Sequence, residues 1–180
     1  MPTRSPSTSA PTSPDADDVA RLRAGDPSAL GTLYLRVGQT LATLARRLTG
    51  SREEAQDVLH DVFLGLPEAL RHYEERGKFD AWLRLVTART ALVRMRSQRR
   101  RRLRVPHSPA AHPPTTRPID QIALADALDE LGAPLRQVVV LKMIEGYSHA
   151  EIGELLGISS RASEQRLHRA LEFLRRRLNH

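Results

Sequence analysis

The chain of 180 residues contains no cysteine, few aromatic side chains and no long apolar run. Without cysteine it can form no disulfide, no thiolate metal site and no cysteine nucleophile, which suits a reducing compartment. No apolar stretch approaches the roughly 20 residues that a transmembrane helix needs, and the N-terminus lacks the apolar core of a signal peptide. We therefore expect a soluble cytoplasmic protein with no membrane insertion.

Enzyme motifs are also missing. The 7 histidines show no HExxH spacing, and neither GxxxxGK[ST] nor GxSxG occurs. His107 and His112 lie in a proline-rich stretch without the neighbours that a metal site would need. The sequence predicts no catalytic residue, no metal site and no cofactor, and we expect a protein that is not an enzyme.

The composition that is present indicates packed helices and a polyanionic partner. Hydrophobic residues make up 40% of the chain, which is enough for compact cores. Lys and Arg number 28 against 21 Asp and Glu, so the net charge is +7 and the sequence pI is about 10.8. Nucleic acid is the first candidate for such a partner.

Apolar residues recur at intervals of three and four, and no stretch alternates as a strand would. The pattern predicts an all-α fold of two small helical domains joined by a Pro-rich linker, the second containing a helix-turn-helix. A disordered tail of Pro, Ser and Thr occupies residues 1–18. The domains span residues 19–104 and 119–180, and the linker is 105–118.

Start and stop signals divide the first domain into helices. Asp26 precedes a proline and caps one helix, in which Gly38 is expected to cause an interruption and Gly50 the end. Ser51 opens the next helix with a capping box, and Pro67 predicts a kink or an early stop. A long helix then follows a loop over residues 72–78. Its predicted apolar stripe is Ala81, Trp82, Leu85, Ala88, Leu92 and Met95, with Thr87 facing away.

The second domain ends in a predicted helix-turn-helix. Helices over residues 122–131 and 135–144 precede a capping box at Ser148 and Glu151, a turn at Gly157 and a new cap at Ser159 or Ser160. A buried stripe is predicted for the last helix at Leu167, Ala170, Leu171, Leu174 and Leu178. Its other face is basic, which favours a helix lying in the DNA major groove. An ordinary amphipathic hairpin with a solvated face is the alternative.

Two further surfaces stand out. Asp57, His60, Asp61 and Leu64 share one helix face, which predicts either docking of a basic partner helix or a merely solvated face. The second surface is an arginine block, comprising Arg94, Arg96, Arg99, Arg100, Arg101, Arg102 and Arg104. Guanidinium groups at this density are typical of phosphate-backbone binding. The rings just upstream, Tyr73, Phe79 and Trp82, could stack on unpaired bases, although the position of Trp82 on an apolar stripe favours a core residue.

Three segments carry a family resemblance. They are SREEAQDVLHDVFLGLPEAL, KFDAWLRLVTARTALVRMRSQRRRR, and LDELGAPLRQVVVLKMIEGYSHAEIGELLGIS followed by RLHRAL. In this order they resemble the two regions of the extracytoplasmic-function sigma factors of bacterial RNA polymerase. The resemblance implies an alternative sigma factor, which directs core polymerase to specific promoters. A helix-turn-helix regulator that does not enter polymerase, and a sigma-like interaction protein, are the alternatives.

The resemblance also implies which surfaces bind which partners. The β′ clamp helices of core polymerase would receive Asp57, His60, Asp61 and Leu64, and the β flap is a further contact. The promoter −10 element would be bound by Tyr73, Lys78, Phe79, Trp82, Arg84, Arg94, Arg96, Arg99 and Arg100. The −35 element would be read by Ser160, Arg161, Glu164, Gln165, Arg166 and Arg169. An anti-sigma factor is a further implied partner.

Within the −35 set, Arg161 and Gln165 suit guanine and adenine edges, whereas Arg166 and Arg169 suit backbone phosphate. The chain departs from the family pattern at four positions, with His60 for glutamine, Pro67 for an aromatic residue, Ser163 for valine and Glu164 for lysine. Ser163 falls on the predicted inner stripe. A hydroxyl buried there without a partner would cost about 1–3 kcal/mol.

Overall fold

A computed structural model describes residues 16–74, 78–102 and 126–178, and every regular element in these ranges is helical. The helices are α1 (Ala16–Arg23), α2 (Pro27–Thr49), α3 (Arg52–Leu70), α4 (Phe79–Arg102), α5 (residues 126–130), α6 (Ala133–Val139), α7 (His149–Leu156) and α8 (Ser160–Leu178). A π-helix, Val140–Ile144, continues α6. The predicted all-helical class is confirmed. The predicted linker, 105–118, lies outside the described residues.

Helices α1–α4 form an N-terminal bundle, and its first helix corrects the predicted tail. α1 begins at Ala16, so residues 16–18 of the predicted disordered stretch are helical. Asp17 and Asp18 lie in the first turn, where the positive end of the helix dipole favours carboxylates. Val19 and Leu22 of α1 are buried in the bundle core. The other predicted tail residues, 1–15, are not among those described.

α2 begins and ends as predicted but runs without the predicted interruption. Asp26 accepts hydrogen bonds from the backbone N–H groups of Ser28 and Ala29, and Gly50 ends the helix at φ 78°. The predicted interruption at Gly38 is wrong, because the helix passes through it. A glycine costs a helix only about 1 kcal/mol. The buried residues of α2 outweigh that cost; they are Ala29, Leu33, Leu41, Leu44, Ala45, Leu48 and Thr49.

α3 also continues through its predicted breaking point. The Ser51 hydroxyl accepts the N–H of Glu54 as expected, although it donates to Glu53. Pro67 lies inside the helix, which ends only at Leu70, so the predicted early stop is wrong. A proline removes one backbone hydrogen bond. The fully buried Leu66 and Leu70 hold the last turn in place despite that loss.

Helices α5–α8 form a C-terminal bundle with a small core of its own. The buried members of this core are Ala127, Leu128, Leu131, Val139, Ala170 and Leu174. The helix predicted for 135–144 is confirmed, although its second half is wound as a π-helix. For the helix predicted over 122–131, residues 126–130 are helical and 122–125 lie outside the description.

The two bundles share a second and larger core. Val138, Val140, Leu141, Ile152 and Leu155 of the C-terminal bundle are buried in the same apolar cluster as the N-terminal helices. This packing brings α6 against α2, and α7 against α4. The surfaces of α4 and of the helix-turn-helix therefore adjoin each other.

Candidate polymerase and nucleic-acid interfaces

The outer face of α3 holds together the four residues predicted to meet polymerase. Asp57, His60 and Asp61 are exposed, and the Leu64 side chain is 73% exposed. The opposite face of the helix is buried through Ala55, Val58, Leu59, Val62 and Leu66. An exposed leucine beside two carboxylates offers one apolar contact and a negative field to a basic helix.

Arg94 of α4 spans the two carboxylates of this face. Its Nη2 contacts Asp57 Oδ2 at 2.5 Å, and its Nη1 contacts Asp61 Oδ2 at 2.6 Å. Burial acts to lower the pKa of Arg94, but the hydrogen bonds and charges of Asp61 and Asp57 outweigh it and raise that pKa. The Nε atom is buried without a hydrogen-bond partner among the described residues. Arg94, predicted as a −10 contact, thus lies against the docking face.

The three rings predicted to stack on bases form one cluster, and they differ in access. Phe79 is 0% exposed, so in this conformation it is a core residue that no base can reach, whereas Tyr73, 6% exposed, still lines the cavity beside Trp82. The burial of Phe79 contradicts its predicted role in stacking. Trp82 is half-buried, with its ring centroid 4.7 Å from that of Tyr73. It is the ring of the three best placed to meet a base.

Trp82 lines a cavity of about 510 Å³. Lys78 and Arg84, both predicted −10 contacts, lie beside it, and the far wall is built by Glu145 and Tyr147 of the C-terminal bundle. Burial, with a smaller contribution from Glu145, raises the pKa of the Tyr147 phenol. The predicted −10 surface therefore contains residues of both bundles, which the sequence did not indicate.

The arginine block continues along α4. Arg96 donates to the backbone oxygen of Leu155 in α7 at 2.9 Å, while Arg99 and Arg100 are exposed. Arg99 also lines a cleft between the bundles, together with Arg136 and Arg166. The side chain of Arg102 and the whole of Arg104 lie outside the described residues.

The helix-turn-helix forms as its signals indicate. Ser148 and Glu151 make the reciprocal capping box, and Gly157 ends α7 at φ 68°. Ser159 is the cap of α8, since its hydroxyl accepts the N–H of Ala162. Ile158 folds back over Gly153, whose Cβ position would lie 2.7 Å from the Ile158 oxygen. The turn is thus too close for a side chain at Gly153.

The outer face of α8 is open. Ser160, Arg161, Glu164, Gln165 and Arg169 are all exposed, as a surface entering a DNA groove must be. Arg166 is only half-buried and lies toward the cleft between the bundles. On the inner side Ala170 and Leu174 are buried, whereas Leu178 is 48% exposed, so the predicted stripe is one turn too long.

Ser163 is 0% exposed, as its position on the inner stripe indicated. Its hydroxyl lies 2.9 Å from Nδ1 of His149, the first residue of α7. The buried hydroxyl is therefore paired, and the penalty for an unpaired one does not apply. A polar link between the two motif helices takes the place of an apolar contact.

The described residues contain neither a candidate metal site nor a candidate membrane-spanning helix. Within 16–74, 78–102 and 126–178, no group of three His, Asp or Glu side chains could hold a metal ion. No helix in these same ranges is long and apolar enough to cross a membrane.

Comparison with known proteins agrees with this geometry. Residues 33–101 match the model of sigma-70 region 2, and residues 121–174 match the model of sigma-70 region 4. The RNA polymerase sigma factor CarQ of Myxococcus xanthus is 32% identical over 160 residues, covering 86% of this chain and 92% of CarQ. The ECF RNA polymerase sigma factor SigL of Mycobacterium tuberculosis is 30% identical over 167 residues, covering 87% and 93%.

The chain belongs to the extracytoplasmic-function sigma factors. As an alternative sigma factor it directs RNA polymerase to specific promoters. A solved structure of the sigma factor CnrH, in complex with the cytosolic domain of CnrY, is 31% identical with a TM-score of 0.54, covering 92% of this chain and 98% of CnrH. In this sigma factor the region 2 match covers most of α2, the whole of α3 and nearly all of α4. The region 4 match covers α5–α7 and most of α8.

Proposed function

We propose that this sigma factor docks on core RNA polymerase through the outer face of α3. The observation that carries this assignment is the 73% exposed Leu64 on the same face as Asp57 and Asp61, which Arg94 holds in fixed positions. The β′ clamp helices would receive this face, which also carries His60, and the β flap would receive the C-terminal bundle. Arg94 then acts as a positioning residue for the carboxylates.

The −10 element would be held as a single strand along α4. Trp82 offers its ring to a base, while Lys78, Arg84, Arg96, Arg99 and Arg100 offer charge to phosphates. Phe79 and Tyr73 support Trp82 from the core. In this assignment the N-terminal domain, which would hold the −10 strand, spans residues 19–104, and the C-terminal domain spans residues 119–180.

The −35 element would be read as duplex by α8. Arg161 and Gln165 are exposed near its N-terminal end, where a recognition helix contacts base edges. Arg169 would hold phosphate, and Arg166 could do so only once the cleft between the bundles widens. Glu164 is exposed and could accept a hydrogen bond from cytosine N4.

The chain would catalyse nothing itself and would act in the cytoplasm, where it lends specificity to polymerase. An anti-sigma factor is a proposed regulator, since the similar CnrH was solved with the cytosolic domain of CnrY. Transcription of genomic fragments by core polymerase with the purified protein tests initiation. Failure to bind core would contradict the docking assignment, and binding without initiation would favour a protein that only sequesters polymerase.

A single substitution tests where docking occurs. Leu64→Asp adds a charge to the centre of the proposed contact and should weaken binding to core polymerase at least tenfold, about 1.4 kcal/mol. Leu35→Asp, at an 86% exposed position of α2 outside every proposed contact, is the matched control and should bind like the unchanged chain. Equal affinities for both variants would move the docking site away from α3.

A further inference from the structure

We propose that the free chain is closed on itself, with Glu145 of the C-terminal bundle occupying the arginine fork of Arg84 that a −10 phosphate would bind. The chain would thus inhibit its own uptake of single-stranded DNA until the bundles separate. The inference rests on the −10 role assigned to Arg84 under Proposed function. Closure itself is a property of contacts that do not depend on that role.

The Arg84–Glu145 contact has the form of a phosphate mimic. Arg84 Nε lies 2.8 Å from Glu145 Oε2, and Nη2 lies 2.6 Å from Oε1. The paired N–H groups that would grip a phosphate are thereby filled by a carboxylate. The Glu145 side chain is only 4% exposed, whereas Arg84 is 34% exposed. The acid is built into the interface, and the arginine still faces the surface where a strand would approach.

The C-terminal bundle covers α4 at a second place. Arg96, also predicted to bind the −10 strand, donates to the Leu155 backbone oxygen at 2.9 Å. The twelve residues from Arg84 to Arg96 span about 18 Å of helix. The C-terminal bundle therefore contacts α4 at both ends of this stretch.

Contacts away from the DNA surface fasten the closed form. Arg46 of α2 makes a bidentate pair with Asp129 of α5, at 3.0 and 2.8 Å. Arg136 of α6 donates to the backbone oxygen of Thr49 at 2.9 Å, with its guanidinium packed over Gly50. These contacts surround the shared apolar core. Closure therefore needs no second protein to hold it.

The closed form cannot reach both promoter elements at once. Sites centred near −10 and −35 lie about 25 base pairs apart, roughly 85 Å along B-DNA. A compact chain of this length has a radius of gyration of about 16 Å, hence a diameter of roughly 40 Å. The bundles must separate before α4 and α8 can contact their elements together. The same opening would release Arg84 and Arg96.

The absence of cysteine permits a direct measurement of closure. Spin labels on Glu68→Cys and Glu172→Cys, two exposed positions on α3 and α8, report the distance between the bundles by pulsed electron paramagnetic resonance. The free labelled chain should give one narrow, short distance. Glu145→Gln and Asp129→Asn should each add a longer, broader population. Glu130→Gln should not, because Glu130 pairs with Arg177 of its own bundle.

Unlabelled versions of these variants test occlusion. A fluorescein-labelled 20-nucleotide single strand of mixed sequence is the probe, and binding is followed by anisotropy. When most molecules are closed, opening should tighten the apparent Kd about three- to tenfold in Glu145→Gln. Glu130→Gln carries the same net charge and should show no such gain. Circular dichroism confirms that each variant is folded.

Three results would overturn the proposal. These are a broad distance distribution in the unchanged chain, no change of distance in either interface variant, and an opened variant whose DNA affinity matches that of Glu130→Gln. Binding to core polymerase is measured on the same samples. Loss of that binding in the unchanged chain would contradict the proposed function instead, so the two failures are distinguishable.

Discussion

The two DNA-facing surfaces of this sigma factor differ in how far they are available. The outer face of α8 carries exposed Arg161, Gln165 and Arg169 and is covered by no other described element. The face of α4 is partly occupied, since Arg84 and Arg96 are bonded to the C-terminal bundle. The proposed reader of duplex DNA is thus open, and the surface proposed for an unpaired strand is partly covered.

This difference suits the order in which the two DNA forms exist. The −35 element is duplex before polymerase arrives, so a reader for it can be open at all times. An unpaired −10 strand exists only after promoter opening. An uncovered surface of arginines and an indole would bind unrelated single strands. In the proposed closed form, α7 and Glu145 would keep that surface covered until polymerase separates the bundles.

Docking on polymerase is the step that should uncover α4 and so remove the difference in exposure between α4 and α8. Loss of docking therefore has the largest expected effect. Exchanging both Asp57 and Asp61 for arginine places two new charges beside Arg94 and reverses the field of the α3 face. We expect binding to core polymerase to fall by about 2–5 kcal/mol, which a pull-down reads as complete loss. Without docking, α4 should also remain covered.

Exchanging Asp17 and Asp18 for arginine is the control for this charge reversal, because it makes the same change in net charge at two exposed positions of α1, outside the α3 face. It should retain normal association. A thermal melt separates loss of docking from loss of fold in the double variant. Normal association of a folded Asp57 and Asp61 variant would show that polymerase contacts another surface.

The second prediction concerns a contact that holds the C-terminal bundle against the N-terminal one. Gly50 has φ 78°, and a Cβ there would lie 2.5 Å from Arg136 Nη2. Gly50→Ala should displace the guanidinium and break its bond to the Thr49 oxygen. The free energy of unfolding should fall by about 1.5–3 kcal/mol beyond the effect of backbone strain. Gly146→Ala supplies the strain alone, since Gly146 has φ 77° and open space around it. Equal free energies of unfolding would show that Arg136 does not fasten the interface.

Local signals in the sequence predicted the helices well and their interruptions poorly. Capping residues and left-handed glycines act within one turn, so Ser148 and Gly157 could be interpreted without tertiary information. Gly38 and Pro67 also act locally, but buried leucines on either side outweigh their cost. The buried side of α4 differs from the predicted stripe: Thr87 is fully buried, with its hydroxyl satisfied by the Leu83 oxygen, and Ala81 is exposed.

Local sequence patterns also predicted the candidate sites only in part. Periodicity placed Asp57 and Asp61 on an exposed face, and it placed Arg161 and Gln165 on another. It could not reveal that Arg94 spans the two aspartates, because that contact joins residues more than 30 positions apart. Packing between the bundles likewise depends on long-range contacts. No local pattern marks Glu145 as the partner of Arg84.

The third prediction concerns the exposed outer face of α8. Replacing Arg161 or Gln165 with alanine should lower the binding free energy for the preferred base by about 1–3 kcal/mol at one or two −35 positions. The base preference at those positions should therefore be relaxed. Selection of bound sequences from a randomised −35 library, at fixed salt, measures it. Arg169→Ala serves for contrast and should weaken all sequences alike. A uniform loss for Arg161 or Gln165 would make them phosphate contacts.

The smallest effect concerns how the open reader is held. Ser163→Ala leaves His149 Nδ1 without its partner between α7 and α8 and should lower the free energy of unfolding by about 1 kcal/mol. A double-mutant cycle with His149→Ala isolates the pair, and its coupling should be about 0.5–1.5 kcal/mol. A coupling near zero would mean that the angle between the helices is set by apolar contacts alone. The outer face of α8 is uncovered and its inner face packs on α6 and α7, and the Ser163–His149 bond adds a polar contact that ties the first turns of α8 to α7.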